Sequence, residues 1–130
     1  MKTWGKSNKF NVAPKEDRTF FGEFRGRKQK IVFDSKKEME YFYYLLRLEI
    51  SGAISSLQIK EKFDLDLDGK FYESDFSFYF NSEFYAIDVK GVKTDVFKMK
   101  WAIVKRLYPK VNFLIDSEFT PNKRIPNGTV

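Results

Sequence analysis

The sequence contains no cysteine and no histidine among its 130 residues. Without cysteine there is no disulfide framework and no thiolate nucleophile, and without histidine there is no imidazole to act as a general base. A zinc site built from sulfur or imidazole ligands is excluded for the same reason. Any bound metal must therefore be held by oxygen ligands, which favours Mg²⁺, with Mn²⁺ as the alternative.

Long apolar segments are also absent from the sequence. No run approaches the roughly 20 residues that a membrane-spanning helix needs, and the polar first residues lack the apolar centre of a signal peptide. The lack of cysteine is typical of proteins in a reducing compartment. We therefore expect a cytoplasmic, intracellular protein with no membrane partner.

Positive charge and aromatic side chains are abundant. The 24 lysines and arginines exceed the 18 acidic residues, which gives a formal net charge of +6, and 15 residues are phenylalanine. A chain of this length with 42% hydrophobic residues is expected to form a single domain with a real core. The charge favours an anionic partner, nucleic acid first, although a basic protein without such a partner is the alternative.

The stretch from Tyr72 to Lys90 predicts a β-hairpin. Along Tyr72–Phe80, mostly aromatic even positions alternate with mostly polar odd positions, which predicts a strand. Phe84–Lys90 predicts a second strand, with Tyr85, Ile87 and Val89 on one face and Ala86, Asp88 and Lys90 on the other, and Asn81-Ser82 supplies turn residues between the strands. A loop of two or four residues centred on that pair places Asp75 directly opposite Asp88, whereas a loop of odd length would not. The β-carbons of directly opposed residues lie about 4.5–5.5 Å apart.

Two carboxylates at that distance repel each other by about 3 kcal/mol at an effective dielectric near 20. Folding alone gives no reason to accept this repulsion, but a divalent cation between Asp75 and Asp88 would remove it. Lys90 projects from the same strand face as Asp88. Two acids and a lysine on adjoining strands are the parts needed for metal-assisted phosphodiester hydrolysis. A structural salt bridge is the alternative role for Lys90.

Around the hairpin the periodicity predicts further elements. A helix follows Ser35, and Glu38 stands three residues later, at the distance of a capping box. A second helix begins after Thr94 and ends before Pro109. The predicted ranges are a helix over 36–50, a strand over 55–67, a helix over 95–107 and a strand over 111–115. The predicted class is therefore α/β (α+β), with a mixed central sheet flanked by helices.

Residues 1–30 predict a basic arm interrupted by glycine and proline. Short strands are predicted over 19–24 and 30–33. Arg25, Arg27 and Lys28 are candidates for contacts with the phosphates of a nucleic acid, which orient a duplex without reading its sequence. A solvated terminal segment is an equal alternative.

These features resemble the PD-(D/E)XK nuclease superfamily over residues 31–117. The family has an acid at the head of one core strand and Asp/Glu-x-Lys on the next, which correspond here to Asp75 and to Asp88-Val89-Lys90. The segments 33–38 and 72–117 are similar in particular to endonuclease I-type Holliday-junction resolvases and related small phage proteins. The chain departs from the family pattern at Ser74, where proline gives the family its name, and at Asp88, where relatives often have glutamate.

The resemblance implies a restriction-endonuclease-like αβββαβ core over residues 31–117, between the arm and a tail over residues 118–130. It implies a Mg²⁺-dependent, structure-selective DNA endonuclease that resolves Holliday junctions or other branched DNA, encoded by a phage and acting in the host cell. A resolvase of this kind is expected to be a homodimer. Two alternatives stay open: a nuclease of the same fold acting on duplex DNA, single-stranded DNA or RNA, and a non-catalytic nucleic-acid-binding module.

The resemblance also implies roles for individual residues. Asp75 and Asp88 would bind the metal, helped by Glu38 and the carbonyl of Val89, and Lys90 would act on the attacking water or the transition state. Glu40 competes with Glu38 for the helix position. Further phosphate contacts are expected from the lysines that follow the hairpin, namely Lys93, Lys98, Lys100 and Lys105.

Overall fold

A computed structural model of the chain describes residues 12–89 and 94–121. The chain divides into two compact units, Met1–Tyr44 and Leu45–Val130, with the boundary inside the first α-helix. Within the described residues there are eight strands and two α-helices, which confirms the α+β class. They are β1 (Thr19–Phe24), β2 (Arg27–Val32), α1 (Lys36–Ile50), β3 (Ser55–Ile59), β4 (Lys62–Leu67), β5 (Lys70–Glu73), β6 (Phe76–Phe80), β7 (Glu83–Asp88), α2 (Asp95–Leu107) and β8 (Val111–Ile115).

The first unit contains the antiparallel hairpin of β1 and β2. Its two-residue turn, Arg25-Gly26, has positive φ at both positions (56° and 78°), which suits the twist of a tight hairpin. Strand β1 has the predicted bounds, whereas β2 begins three residues earlier than predicted because the tight turn lets pairing start at Arg27. The rings of Phe20 and Phe24 lie 5.0 and 5.2 Å from that of Phe42 on α1, and all three are buried.

Helix α1 begins and ends where its local signals predict. The hydroxyl of Ser35 accepts a hydrogen bond from the amide of Glu38 (3.0 Å), which satisfies one of the free donors at the helix start. Gly52 follows the last turn with a φ of 87°, a conformation that costs glycine little. The capping signals in this segment are therefore confirmed.

The second unit is built on a four-stranded sheet in the order β3-β6-β7-β8. The first two pairings are antiparallel, and β7 and β8 are parallel with α2 as their connection. Strands β4 and β5 form a separate two-stranded hairpin. The chain order is therefore helix, strand, strand, strand, helix, strand, as predicted, with one added hairpin between β3 and β6.

The predicted continuous strands over 55–67 and 72–80 are wrong, because each breaks in two at the same level. Lys60 has a φ of 58°, which an extended strand does not accommodate. Across the break, the amide of Lys60 donates to the carbonyl of Asp75 (3.0 Å), and the amide of Ser74 donates to the carbonyl of Glu61 (2.8 Å). These bonds keep the two strand segments paired across the bend.

The bend reverses the alternation of side chains. Tyr72, before the break, lies with its ring 6.0 Å from that of Phe113. Phe78, after the break, stacks on Tyr85 at 5.7 Å instead. Tyr85 and Ala86 are neighbours in β7 and point to opposite faces, and Phe113 is the partner of Ala86. Strands β5 and β6 therefore bury their even-numbered residues on opposite faces, which a single alternating strand does not allow.

Candidate active site

The hairpin of β6 and β7 has the predicted register. Asn81 and Ser82 form its two-residue turn, with φ of 52° and 67°, and Phe80 pairs with Glu83. The pairing continues without a shift to Phe76 and Ile87. The next residues in this register are Asp75 and Asp88.

Asp75 lies just before β6, at the bend, and it is tied to the end of β7 by two hydrogen bonds. Its amide donates to the carbonyl of Ile87 (3.0 Å), and its Oδ2 accepts from the amide of Val89 (2.8 Å). The Val89 nitrogen is about 2.4 Å from the α-carbon of Asp88 by standard peptide geometry, so Oδ2 lies within about 5 Å of that carbon. The carboxylate of Asp75 is therefore held beside the backbone of Asp88.

Asp88 is the last residue of β7 and is only 2% exposed. Its Oδ2 atom is shielded from solvent. By alternation it lies on the same sheet face as Ala86, and its partner on β8 is Ile115. A buried carboxylate with a second one nearby is costly unless positive charge or hydrogen-bond donors compensate it. A divalent cation is one group that can do so.

Glu38 is placed in the first turn of α1 and is 4% exposed. Its Oε1 accepts a hydrogen bond from the amide of Asp34 (2.9 Å), the residue before Ser35, and this bond ties the helix start to the preceding segment. Glu40 is exposed. Glu38 therefore has a structural role at the helix start, and its role at a metal stays a prediction.

Within residues 12–89 and 94–121, no group of three or more acidic side chains lies together as a metal site. Asp75, Asp88 and the carbonyl of Val89 are the adjoining oxygen donors that the hairpin offers. This set suits Mg²⁺, which is commonly held by one or two carboxylates and completes its shell with water and substrate phosphate.

Two of the predicted phosphate contacts lie together on α2. Lys98 and Lys105 are seven residues apart, on one face of the helix, and line a depression with Trp101 and Ile115. The Nζ of Lys105 lies 4.9 Å from the Trp101 ring. The acid Glu118 also lines this depression, so its two lysines outnumber its acids by one. Because Ile115 is the partner of Asp88, the depression lies beside the end of β7.

The other predicted contacts are elsewhere. Lys100 is two residues from Lys98 and therefore lies on a different side of α2. Arg25, Arg27 and Lys28 are exposed around the tip of the β1–β2 hairpin, in the first unit. Lys90, the predicted catalytic lysine, and Lys93 lie outside the described residues.

Sequence reasoning missed an acid near the site. Glu61 lies in the bend, and its Oε1 accepts a hydrogen bond from the hydroxyl of buried Ser77 (3.3 Å). Ser77 is the partner of Ala86, on the sheet face of Asp88, and Gln58 on β3 is the next residue along that row. The sequence did contain a sign of this. In the predicted strand, Glu61 occupies the same face as the apolar residues Leu57, Ile59 and Phe63, where an acid is unexpected.

Comparison with known proteins gives a family for this arrangement. One family model, described as "Protein of unknown function (DUF1064)", matches residues 25–117. The chain belongs to this family. The matched residues contain both helices, the four-stranded sheet and the pair Asp75 and Asp88. No curated protein and no solved structure matches the chain.

Neither helix of the described ranges combines the length and apolarity that crossing a bilayer requires.

Proposed function

We propose that this protein is a Mg²⁺-dependent, structure-selective DNA endonuclease that hydrolyses phosphodiester bonds in branched DNA such as Holliday junctions. The observation that carries the proposal is the hydrogen bond from the Val89 amide to Asp75, which holds one carboxylate beside the backbone of buried Asp88. Like charges brought together at a sheet end favour a divalent cation between them.

The proposal gives each residue one task. Asp75 and Asp88 hold Mg²⁺ with the carbonyl of Val89. The ion would supply Lewis-acid chemistry, in which it neutralises charge on the scissile phosphate and makes the attacking water more acidic. Lys90, two residues after Asp88, orients that water or stabilises the charge that develops on the phosphate. Lys98 and Lys105 bind flanking phosphates from the depression beside β7.

The order of elements supports a restriction-endonuclease-like core. Helix α1, strands β3, β6 and β7, helix α2 and strand β8 follow the αβββαβ order, and the β4–β5 hairpin is an insertion between the first two strands. In this assignment the two acids come from neighbouring strand ends, next to the connection into α2. The assignment therefore gives the hairpin pair the place that the nuclease motif requires.

The substrate is tested by cleavage. We expect the purified protein with Mg²⁺ to cut a four-way junction faster than a linear duplex, a single strand or RNA of the same sequence. Equal cutting of all four would contradict a preference for junctions and would favour the second candidate, a nuclease that acts on nucleic acids in general. No cutting of any of them, with binding retained, would leave the non-catalytic binding module.

The proposal includes a homodimer, because two opposed strands of a junction must be cut. Helix α2 supports it with an outward apolar row of Val96, Met99 and Leu107, all exposed. In an antiparallel pair of α2 helices, Asp95 of one copy would approach Arg106 of a second copy, so the charges are complementary. Light scattering should give about 31 kDa, twice the 15.5 kDa of one chain, and 15.5 kDa would exclude the dimer.

Substitution by glutamine tests whether Glu38 or Glu40 contributes to the proposed metal site. The Glu38→Gln change keeps a side-chain oxygen that can accept the hydrogen bond from the Asp34 amide, but it removes the charge. We expect Glu38→Gln to lower the Mg²⁺-dependent cleavage rate by about 10- to 100-fold with little change in melting temperature. Glu40→Gln is the matched control and should cleave at the wild-type rate. The opposite result would assign the metal-site role to Glu40.

A further inference from the structure

The outward face of the β1–β2 hairpin carries an exposed aromatic ring. Phe20 and Phe24 are buried on the inner face, so alternation places Phe21 between them on the outer face. Phe21 is 70% exposed. A phenylalanine left in water forgoes about 1.5–3 kcal/mol of burial free energy, so this ring contributes little to the stability of the fold.

The surroundings of Phe21 are basic. Its partner across the hairpin is Lys30, whose Nζ lies 5.8 Å from the ring centroid. Lys28 lies on the same outer face and is the partner of Glu23, the one acid among the residues of β1 and β2. Arg25 and Arg27 follow around the hairpin tip. Phe21, Lys28 and Lys30 also line one shallow depression.

A single exposed apolar side chain is common and needs no explanation by itself. A flat ring set among cations is a more specific arrangement, because sites for single-stranded nucleic acid combine basic side chains with aromatic rings on which bases stack. A protein partner would instead favour several apolar neighbours around Phe21, and β1 and β2 add only one exposed apolar side chain to this face, Val32, the partner of Thr19. The charge of this face therefore favours a polyanion.

We propose that Phe21 is a stacking platform for an unpaired nucleobase and that Lys28 and Lys30 bind the adjacent phosphates. This inference rests on the nucleic-acid part of the proposed function and adds a preference to it. In a duplex each base is already stacked on its neighbours and the ring gains nothing, whereas a base freed at a branch point or in a single strand can stack on Phe21. The hairpin thus selects DNA with unpaired nucleotides.

The test is a binding measurement in EDTA, where a Mg²⁺-dependent nuclease cannot cut. Fluorescence anisotropy would compare a labelled oligothymidylate with a labelled duplex of the same length. We expect Phe21→Ala to weaken oligothymidylate binding by about 5- to 150-fold, the effect of losing one stacked base, and to leave duplex binding within about twofold. Phe21→Trp should bind oligothymidylate with about the wild-type affinity, and binding should quench its tryptophan fluorescence more than that of the wild type. Phe21→Leu should bind as weakly as Phe21→Ala.

Ile50→Ala is the matched control, because Ile50 is an 84% exposed apolar residue at the end of α1 and should change neither affinity. Unchanged oligothymidylate binding in Phe21→Ala would overturn the proposal, as would an equal loss for duplex and single strand. A change in self-association alone would also overturn it, since Phe21 would then be a protein contact. The nuclease proposal is tested separately, because it fails if the wild-type protein does not cleave DNA in Mg²⁺, whatever the binding results are.

Discussion

Asp88→Asn is expected to lower the Mg²⁺-dependent cleavage rate by about 10³-fold, the size of effect seen when a group that stabilises developing charge is removed. Asparagine has nearly the same shape as aspartate, so the buried end of β7 should keep its packing. It cannot supply the negative charge that a divalent cation needs. The single-turnover rate on a junction at saturating Mg²⁺ measures this loss.

Asp68→Asn is the matched control for this change. Asp68 is an exposed acid in the turn of the β4–β5 hairpin with a φ of 40°, a conformation that asparagine tolerates well. It should cleave at the wild-type rate. A second readout is thermal: Mg²⁺ should raise the melting temperature of the wild type and of Asp68→Asn, but not of Asp88→Asn, because a ligand stabilises a fold only when it binds that fold. A wild-type rate in Asp88→Asn would remove Asp88 from the mechanism.

The position of Asp75 relative to Asp88 could be predicted because a hairpin register follows from its turn. Asn81 and Ser82 are both residues common in turns, so a two-residue turn between two aromatic strands leaves one pairing of the strands. The start of α1 was predictable for a similar reason, since Ser35 and Glu38 satisfy free backbone groups locally. These signals require no knowledge of the rest of the chain.

The bend at Lys60 and Ser74 could not be predicted in the same way. Both faces of the central sheet are buried, so aromatic residues occur at both odd and even positions along its strands. A point where the side chains switch faces therefore leaves no visible interruption in the sequence pattern. The bend is set by distant contacts instead. Phe63 on β4 and Tyr72 on β5 pack against Phe113 on β8, which is far away in sequence.

The details of the candidate site depend on that bend and were missed with it. The hydrogen bond from Val89 to Asp75 forms at the bend, and the hydroxyl of Ser77, within the regular ladder, donates to Glu61 in the bend. The separation of Lys98 from Lys100 is different, because helical periodicity alone assigns residues two apart to different sides. The role of each lysine as a phosphate contact stays a prediction.

Phe113→Ala is expected to lower the free energy of unfolding by about 3–5 kcal/mol, the usual cost of removing a buried phenylalanine ring. Phe113 is 4% exposed, and its ring lies 5.0 Å from Phe63, 6.0 Å from Tyr72 and 6.2 Å from Trp101. One side chain thus joins the four-stranded sheet, the β4–β5 hairpin and α2. Urea denaturation followed by circular dichroism would measure the change.

Phe71→Ala is the matched control, because Phe71 lies on the same hairpin but is 40% exposed, with the Nζ of Lys62 at 4.7 Å from its ring. Its loss should cost about 1–2 kcal/mol, because the ring is only partly buried and its cation–π contact is exposed. Equal destabilisation by the two changes would mean that the β4–β5 hairpin does not pack on β8 as described. The contact of Phe63 and Tyr72 with Phe113 is what favours bent strands over straight ones. Without that contact, the reversal of side-chain alternation at Lys60 and Ser74 would have no explanation.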